Sequence, residues 1–216
     1  MLFRSFKELM AGAEGDNERS PWNLALACGA PGLTEELRFW HRLRMNLLPY
    51  LYSTAVECAA SSAPMLRPLV YGWPEDATAA VCDDEFMLGD SLLVAPLLEE
   101  NATGRKVYLP SGQWYSLFTH ECTKGGQTVL ATLPGKLPVW VRGGCGLALH
   151  LAPGGGLGSD VGNAVHASGP LHFVFAGESG STTFYDDSGT ALHFAWQNGA
   201  LCTQPAGTAF TCEFLL

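Results

Sequence analysis

Apolar residues recur at three- and four-residue spacing from Leu37 through Trp40, Leu47, Leu48 and Leu51 to Ala55, with Arg44 on the same face. That period predicts one amphipathic helix over 34–60. Thr34 stands as its N-cap, and Glu35 and Glu36 sit at the positive end of the helix dipole. Pro49 removes the hydrogen bond to the Met45 carbonyl and predicts a kink. Arg44 needs a carboxylate or carbonyl partner, because an unpaired buried guanidinium is very unfavourable. A helix without partner helices must bury its apolar face against another element. Leu37, Trp40, Leu47 and Leu51 therefore predict an exposed apolar stripe in the isolated chain.

After Pro64 the period changes. Short apolar or alternating runs, each bounded by Gly, Pro or Asp, predict strands at 65–71, 85–88, 91–97, 106–109, 114–118, 128–133, 139–141 and 147–151. The run Ser91–Leu97 is continuously apolar and reads as a central strand buried on both faces. A Gly-rich linker begins at Pro153, and strands resume at 171–175, 182–185, 191–196 and 209–215. Before the helix, residues 7–33 read as a long loop punctuated by Gly and Pro. The fold class is mainly β, with one or two β-modules following a helix that belongs to something else.

Composition narrows the function. Of 216 residues, 47% are hydrophobic and 15% charged, below the roughly 25% of average domains, which predicts a sizeable core. The net charge of −9 argues against a nucleic-acid partner. No run approaches the roughly 18 apolar residues of a membrane span. The seven cysteines form no C-x-x-C pair, which argues against a zinc site of ordinary spacing, and they read as small buried thiols. Neither the G-x-S-x-G nucleophile motif nor the P-loop occurs, and no cofactor or metal is implied. Asp83-Asp84 and Asp186-Asp187 are poor acid/base pairs, since neighbours on a strand face opposite ways. Turn-forming or hydrogen-bonding roles fit them better.

Several segments occur together in order. They are Phe3-Arg4-Ser5, Arg19-Ser20-Pro21-Trp22, the helix stretch Leu43-Arg44-Met45-Asn46-Leu47-Leu48-Pro49-Tyr50, and Pro64-Met65-Leu66-Arg67-Pro68. Then come Asp84-Glu85-Phe86-Met87-Leu88-Gly89-Asp90-Ser91-Leu92-Leu93-Val94-Ala95-Pro96, Leu109-Pro110-Ser111-Gly112-Gln113-Trp114-Tyr115, Leu137-Pro138-Val139-Trp140-Val141-Arg142-Gly143-Gly144 and Tyr185-Asp186-Asp187-Ser188-Gly189. Together they resemble the C-terminal part of glycoside hydrolase family 31, the α-glucosidase and α-xylosidase family.

The resemblance implies a layout. Residues 1–63 would be the end of a (β/α)8 catalytic barrel, with 34–60 its last helix. Residues 64–152 would be a proximal β-sandwich, and 153–216 a linker and the start of a distal β-domain. It also implies a retaining α-glycosidase acting on α-linked oligosaccharides or glucosides. The catalytic aspartate pair would lie on upstream segments, and the chain alone would not hydrolyse glycosides. Arg4 matches the arginine of the family's sugar-binding Arg-x-His motif, whereas Phe6 replaces the histidine and cannot make its polar contact. Trp22 lies on the loop beside the substrate region, where Ser20 precedes Pro21 in place of the family's usual glutamate. The alternative is a non-catalytic carbohydrate-binding or interaction module, with Trp22, Trp114 and Trp140 as candidate stacking platforms.

Overall fold

The structure, a computed structural model, describes residues 29–99, 102, 104–132, 136–161, 171–207 and 209–216. The described residues divide into two compact units. The first contains 29–46 and 151–161, and the second contains residues 47–150 and 171–216.

In the first unit, α1 spans Leu33–Asn46. It starts one residue before the expected cap, because the Ala30 carbonyl accepts the Leu33 N–H at 3.0 Å and Gly32 accepts that of Glu36 at 3.3 Å. Leu37, Leu43 and Asn46 are buried. Arg44 is exposed, so the expectation that it needs a partner to offset burial does not apply. Asn46 is wholly buried and satisfied. Its Nδ2 donates to the Ser159 carbonyl at 3.3 Å, and its Oδ1 accepts from the Gly158 N–H at 2.8 Å. Arg42 pairs with Asp160 at 3.2 Å.

The second unit opens with α2, Leu48–Ser61. The single kinked helix expected over 34–60 is thus two helices that break at Leu47. Pro49 falls in the first turn of α2, where its missing N–H has no intrahelical acceptor to lose. The proline starts a helix instead of bending one. Leu37, Leu47 and Leu51 are 8%, 2% and 7% exposed and Trp40 is half-buried, so three of the four residues of the expected exposed stripe are covered.

Then come β1 (Leu66–Pro68) and the short helices α3 (Leu69–Gly72) and α4 (Ala77–Val81). Asp76 caps α4 by accepting the Thr78 and Ala79 N–H groups at 2.9 and 3.1 Å. The strands β2 (Phe86–Leu88), β3 (Leu92–Val94), β5 (Gln113–Ser116), β6 (Cys122–Lys124) and β8 (Val139–Arg142) join β1 in an antiparallel sheet ordered β1-β2-β3-β8-β5-β6. Leu92 and Leu93 are fully buried and Val94 is 3% exposed, as their run predicts for a central strand. β4 (Gly104–Leu109) and β7 (Gln127–Thr132) form a separate antiparallel ribbon. Leu93, Trp114 and Trp140 of the sheet share one core with Val107 and Leu109 of that ribbon.

β9 (Gly146–His150) pairs antiparallel with β10 (Leu171–Ala176), whose other edge takes β14 (Phe210–Leu215) in parallel. β11 (Ser179–Tyr185), β12 (Ala191–Gln197) and β13 (Ala200–Thr203) form the last sheet. Rings cement these strands together: Phe173 packs tilted against Phe194 at 4.4 Å between centroids and Phe175 against Trp196 at 4.8 Å. The described part of the molecule is mainly β, as its sequence pattern predicts.

Candidate functional site

The second unit carries a cleft of about 460 Å³ walled by α2, the β2–β3 turn and the β11–β13 sheet. Its geometry begins with one hydroxyl. Tyr50 Oη donates to the Leu88 carbonyl at 2.6 Å and accepts the Ser91 N–H at 3.2 Å, so α2 grips both ends of the β2–β3 turn. Burial pushes the Tyr50 phenol up to about 12, so it stays protonated and keeps donating. Gly89 lies between these bonds with φ +61°, and a Cβ there would run into Tyr50 and Thr54. Only glycine gives that close approach without strain.

Ser53, one helical turn on, donates to the Pro49 carbonyl at 2.9 Å and accepts the Tyr185 N–H at 2.9 Å. It holds β11 against α2. These bonds aim Glu57 of α2 and Asp90 of the turn at the cleft. Arg67 pairs with Asp90 and donates Nε to the Pro64 carbonyl at 2.7 Å. Burial, then the Asp90 charge, raises the Glu57 pKa, and Arg67 opposes the rise. Across the cleft stand Ser181, Thr203 and the pair Thr183 Oγ1···His193 Nδ1, 2.9 Å apart. The arrangement offers carboxylate acceptors and two-way hydroxyls, which suits hydrogen bonding to a polar ligand more than bond cleavage.

A second recess, about 420 Å³, is bordered by Arg67, Cys82, Asp84 and Glu85. Among the described residues, one ligand atom from each of Cys82, Asp84 and Glu85 lies within 4.8 Å of the others. Arg105 already supplies a cation there: it pairs with Asp84, lies 3.4 Å from Glu85 Oε1, and donates to the Asp84 and Pro96 carbonyls at 2.9 and 2.8 Å. Burial pushes Glu85 up to about 7 and Cys82 up to about 11. The group is accounted for as a structural ion cluster.

Arg4, Phe6 and Trp22 lie outside the described residues. Trp114 and Trp140 are core residues, 0% and 6% exposed, and Trp114 spends its Nε1–H on the Pro110 carbonyl at 2.7 Å. Neither presents a ring face to a sugar. Asp186 takes the turn role expected of it, accepting from the N–H groups of Ser188 and Thr190 at 3.0 and 2.8 Å. Sequence reasoning missed Glu57 as a cleft residue, since one glutamate on a helix carries no motif. Asp90 lies inside a quoted segment, but no signal there marked it as a site residue.

Residues 62–145 match the glycosyl hydrolase family 31 C-terminal domain. An isomaltosyltransferase of Sporosarcina globispora is 32% identical over 185 residues, covering 84% of this chain and 17% of that protein. Alpha-glucosidase 2 of Bacillus thermoamyloliquefaciens is 31% identical over 161 residues, covering 73% and 19%. The cycloalternan-forming enzyme of Listeria monocytogenes, solved with a pentasaccharide substrate, superposes with a TM-score of 0.79 at 32% identity, over 85% of this chain and 18% of that one. The chain therefore spans under a fifth of the length of these relatives. Its order of motifs, its β-rich fold and these matches place it in glycoside hydrolase family 31, in that family's C-terminal part.

Proposed function

We propose that this chain is the C-terminal segment of a retaining α-glycosidase or related glucosyl-transferring enzyme that acts on α-linked glucosides or oligosaccharides. The observation that carries this reading is the match of 84% of the chain to 17% of an isomaltosyltransferase. In this reading residues 1–63 complete a (β/α)8 barrel, 64–152 brace it, and 153–216 begin a distal β-domain. Arg4 and Trp22 border the sugar site, and Phe6 removes one polar contact to the sugar. Retaining chemistry needs two carboxyl groups about 5–5.5 Å apart across the scissile bond, and both come from segments upstream of the matched region. The purified 216-residue chain then shows no turnover of an aryl α-glucoside above a mock preparation. The native protein, detected with an antibody to residues 64–152, runs several-fold heavier than 23.1 kDa. A native band at 23 kDa, or turnover by the isolated chain, would overturn the proposal.

A further inference from the structure

We infer that the cleft between α2 and the β11–β13 sheet is a binding site for a neutral α-glucosyl sugar. Its chemistry follows from which polar groups the fold has already used. Tyr50 and Ser53 are spent on the frame, as both donate and accept within the protein. Glu57 is different: it is half-buried on the cleft wall, and no hydrogen bond from a described residue reaches its carboxylate. Arg67 takes one oxygen of Asp90, and the Asp90 side chain remains 63% exposed. Ser181 and Thr203 face the same space with hydroxyls that bond no other described residue.

A carboxylate has about four acceptor positions and no donor. Two carboxylates therefore call for a ligand rich in donors, and the opposing hydroxyls call for one that also accepts. A pyranose ring with adjacent hydroxyl groups does both. Among the described residues the lining holds two carboxylates, Glu57 and Asp90, and no lysine or arginine, which leaves the cleft negative and turns away phosphorylated sugars and uronates. The volume of about 460 Å³ lies in the range of small-molecule sites and admits one or two rings. The aromatic rings at its base, Phe184 and Phe194, are 3% and 1% exposed and give no stacking face. Binding by hydrogen bonds alone is weak, with a dissociation constant on the order of 10 mM. The choice of a glucosyl sugar among polyols rests on the function proposed above.

The test is a titration of the isotope-labelled 216-residue chain with maltose and with isomaltose, followed by amide chemical shifts. The expected result is a saturable shift confined to the amides of Glu57, Asp90, Ser91, 181–183 and Thr203. Glu57→Ala and Thr203→Val each weaken binding about tenfold with the fold retained. Thr203 is exposed, so its variant stays informative if the helix variant does not fold. Sorbitol and glucose 6-phosphate bind at least about tenfold more weakly than the disaccharides. Four results would overturn the inference: no saturation up to about 100 mM, shifts centred elsewhere, equal response to sorbitol or the phosphate, or unchanged affinity in both variants. Hydrolysis and native mass do not enter this measurement, so its failure is distinct from failure of the proposed function.

Discussion

Glu85 offers a sharp perturbation, because its carboxyl is almost completely withdrawn from water. Its side chain is 3% exposed. Oε1 accepts the Tyr108 N–H at 2.8 Å and faces Arg105 at 3.4 Å, while Oε2 is buried with no partner among the described residues. Burial dominates these attractions and raises the pKa from 4.5 to about 7. The folded state therefore holds a proton that the unfolded state has lost. The stability contributed by the protonated form is fully present below pH 4.5 and is lost as pH rises through about 7. A shift of this size corresponds to about 3 kcal/mol. Glu85→Gln keeps an acceptor for Tyr108 and cannot ionise. Urea unfolding of wild type and variant at half-unit steps from pH 4.5 to 8 reads the difference directly, and neighbouring groups common to both cancel. The variant is expected to be the less stable protein at pH 4.5, because its amide NH2 adds buried N–H groups where Oε2 has no partner among the described residues. Its relative stability then climbs by about 3 kcal/mol by pH 8. A difference that stays flat within about 0.5 kcal/mol, or falls with pH, would refute the argument that burial controls this carboxyl.

Two further perturbations probe the frame. Gly89→Ala puts a methyl group against Tyr50 and Thr54 at φ +61° and is expected to destabilise by roughly 2–4 kcal/mol in urea unfolding, combining backbone strain with weakened Tyr50 hydrogen bonds; a loss under about 0.5 kcal/mol would show that α2 does not seat tightly on the turn. Asp186 has its pKa lowered, first by the Ser188 hydroxyl, so its contribution is present above the ordinary carboxylate pKa of 3.8 and is lost as pH falls through the lowered value; the melting-temperature gap between wild type and Asp186→Ala should close in acid, and a gap independent of pH would reject the turn as its cause.

Local pattern made most strands legible, while partners and breaks escaped it. Leu92–Val94 is a central strand because a continuously apolar run has no wet face to offer. The break at Leu47 was hidden because apolar spacing runs through it undisturbed. Reading Pro49 as a first-turn residue instead of an interior one would have found it. β13 was missed, although Asn198-Gly199 at φ +52° and +70° is the turn signal for a tight hairpin. The parallel partnership of β10 with β14 has no local signature, since residues 171–176 look the same beside any neighbour. The cleft itself was not legible in the sequence, although segments of two of its walls carry the family resemblance. Tyr50 and Asp90 lie in segments that carry the family resemblance, whereas Ser181 falls one residue before the strand expected at 182–185 and Thr203 lies in the unexpected β13.

Those two segments also say something about where chemistry resides. Leu43–Tyr50 and Asp84–Pro96 are separated by more than thirty residues, yet one buried hydroxyl joins them through Leu88 and Ser91. Gly89 leaves room for that hydroxyl, and Leu92–Val94 carries the joint into the centre of the six-stranded sheet. Every polar group in this joint is satisfied within the protein, and a proton is fixed on Tyr50 by burial. A reacting group needs a pKa near its working pH and an open coordination sphere; Tyr50 has neither. The most recognisable residues of the chain are thus framework residues, chosen by packing and hydrogen bonding. The open acceptors, Glu57 and Asp90, flank the joint without taking part in it, which leaves them available to a ligand.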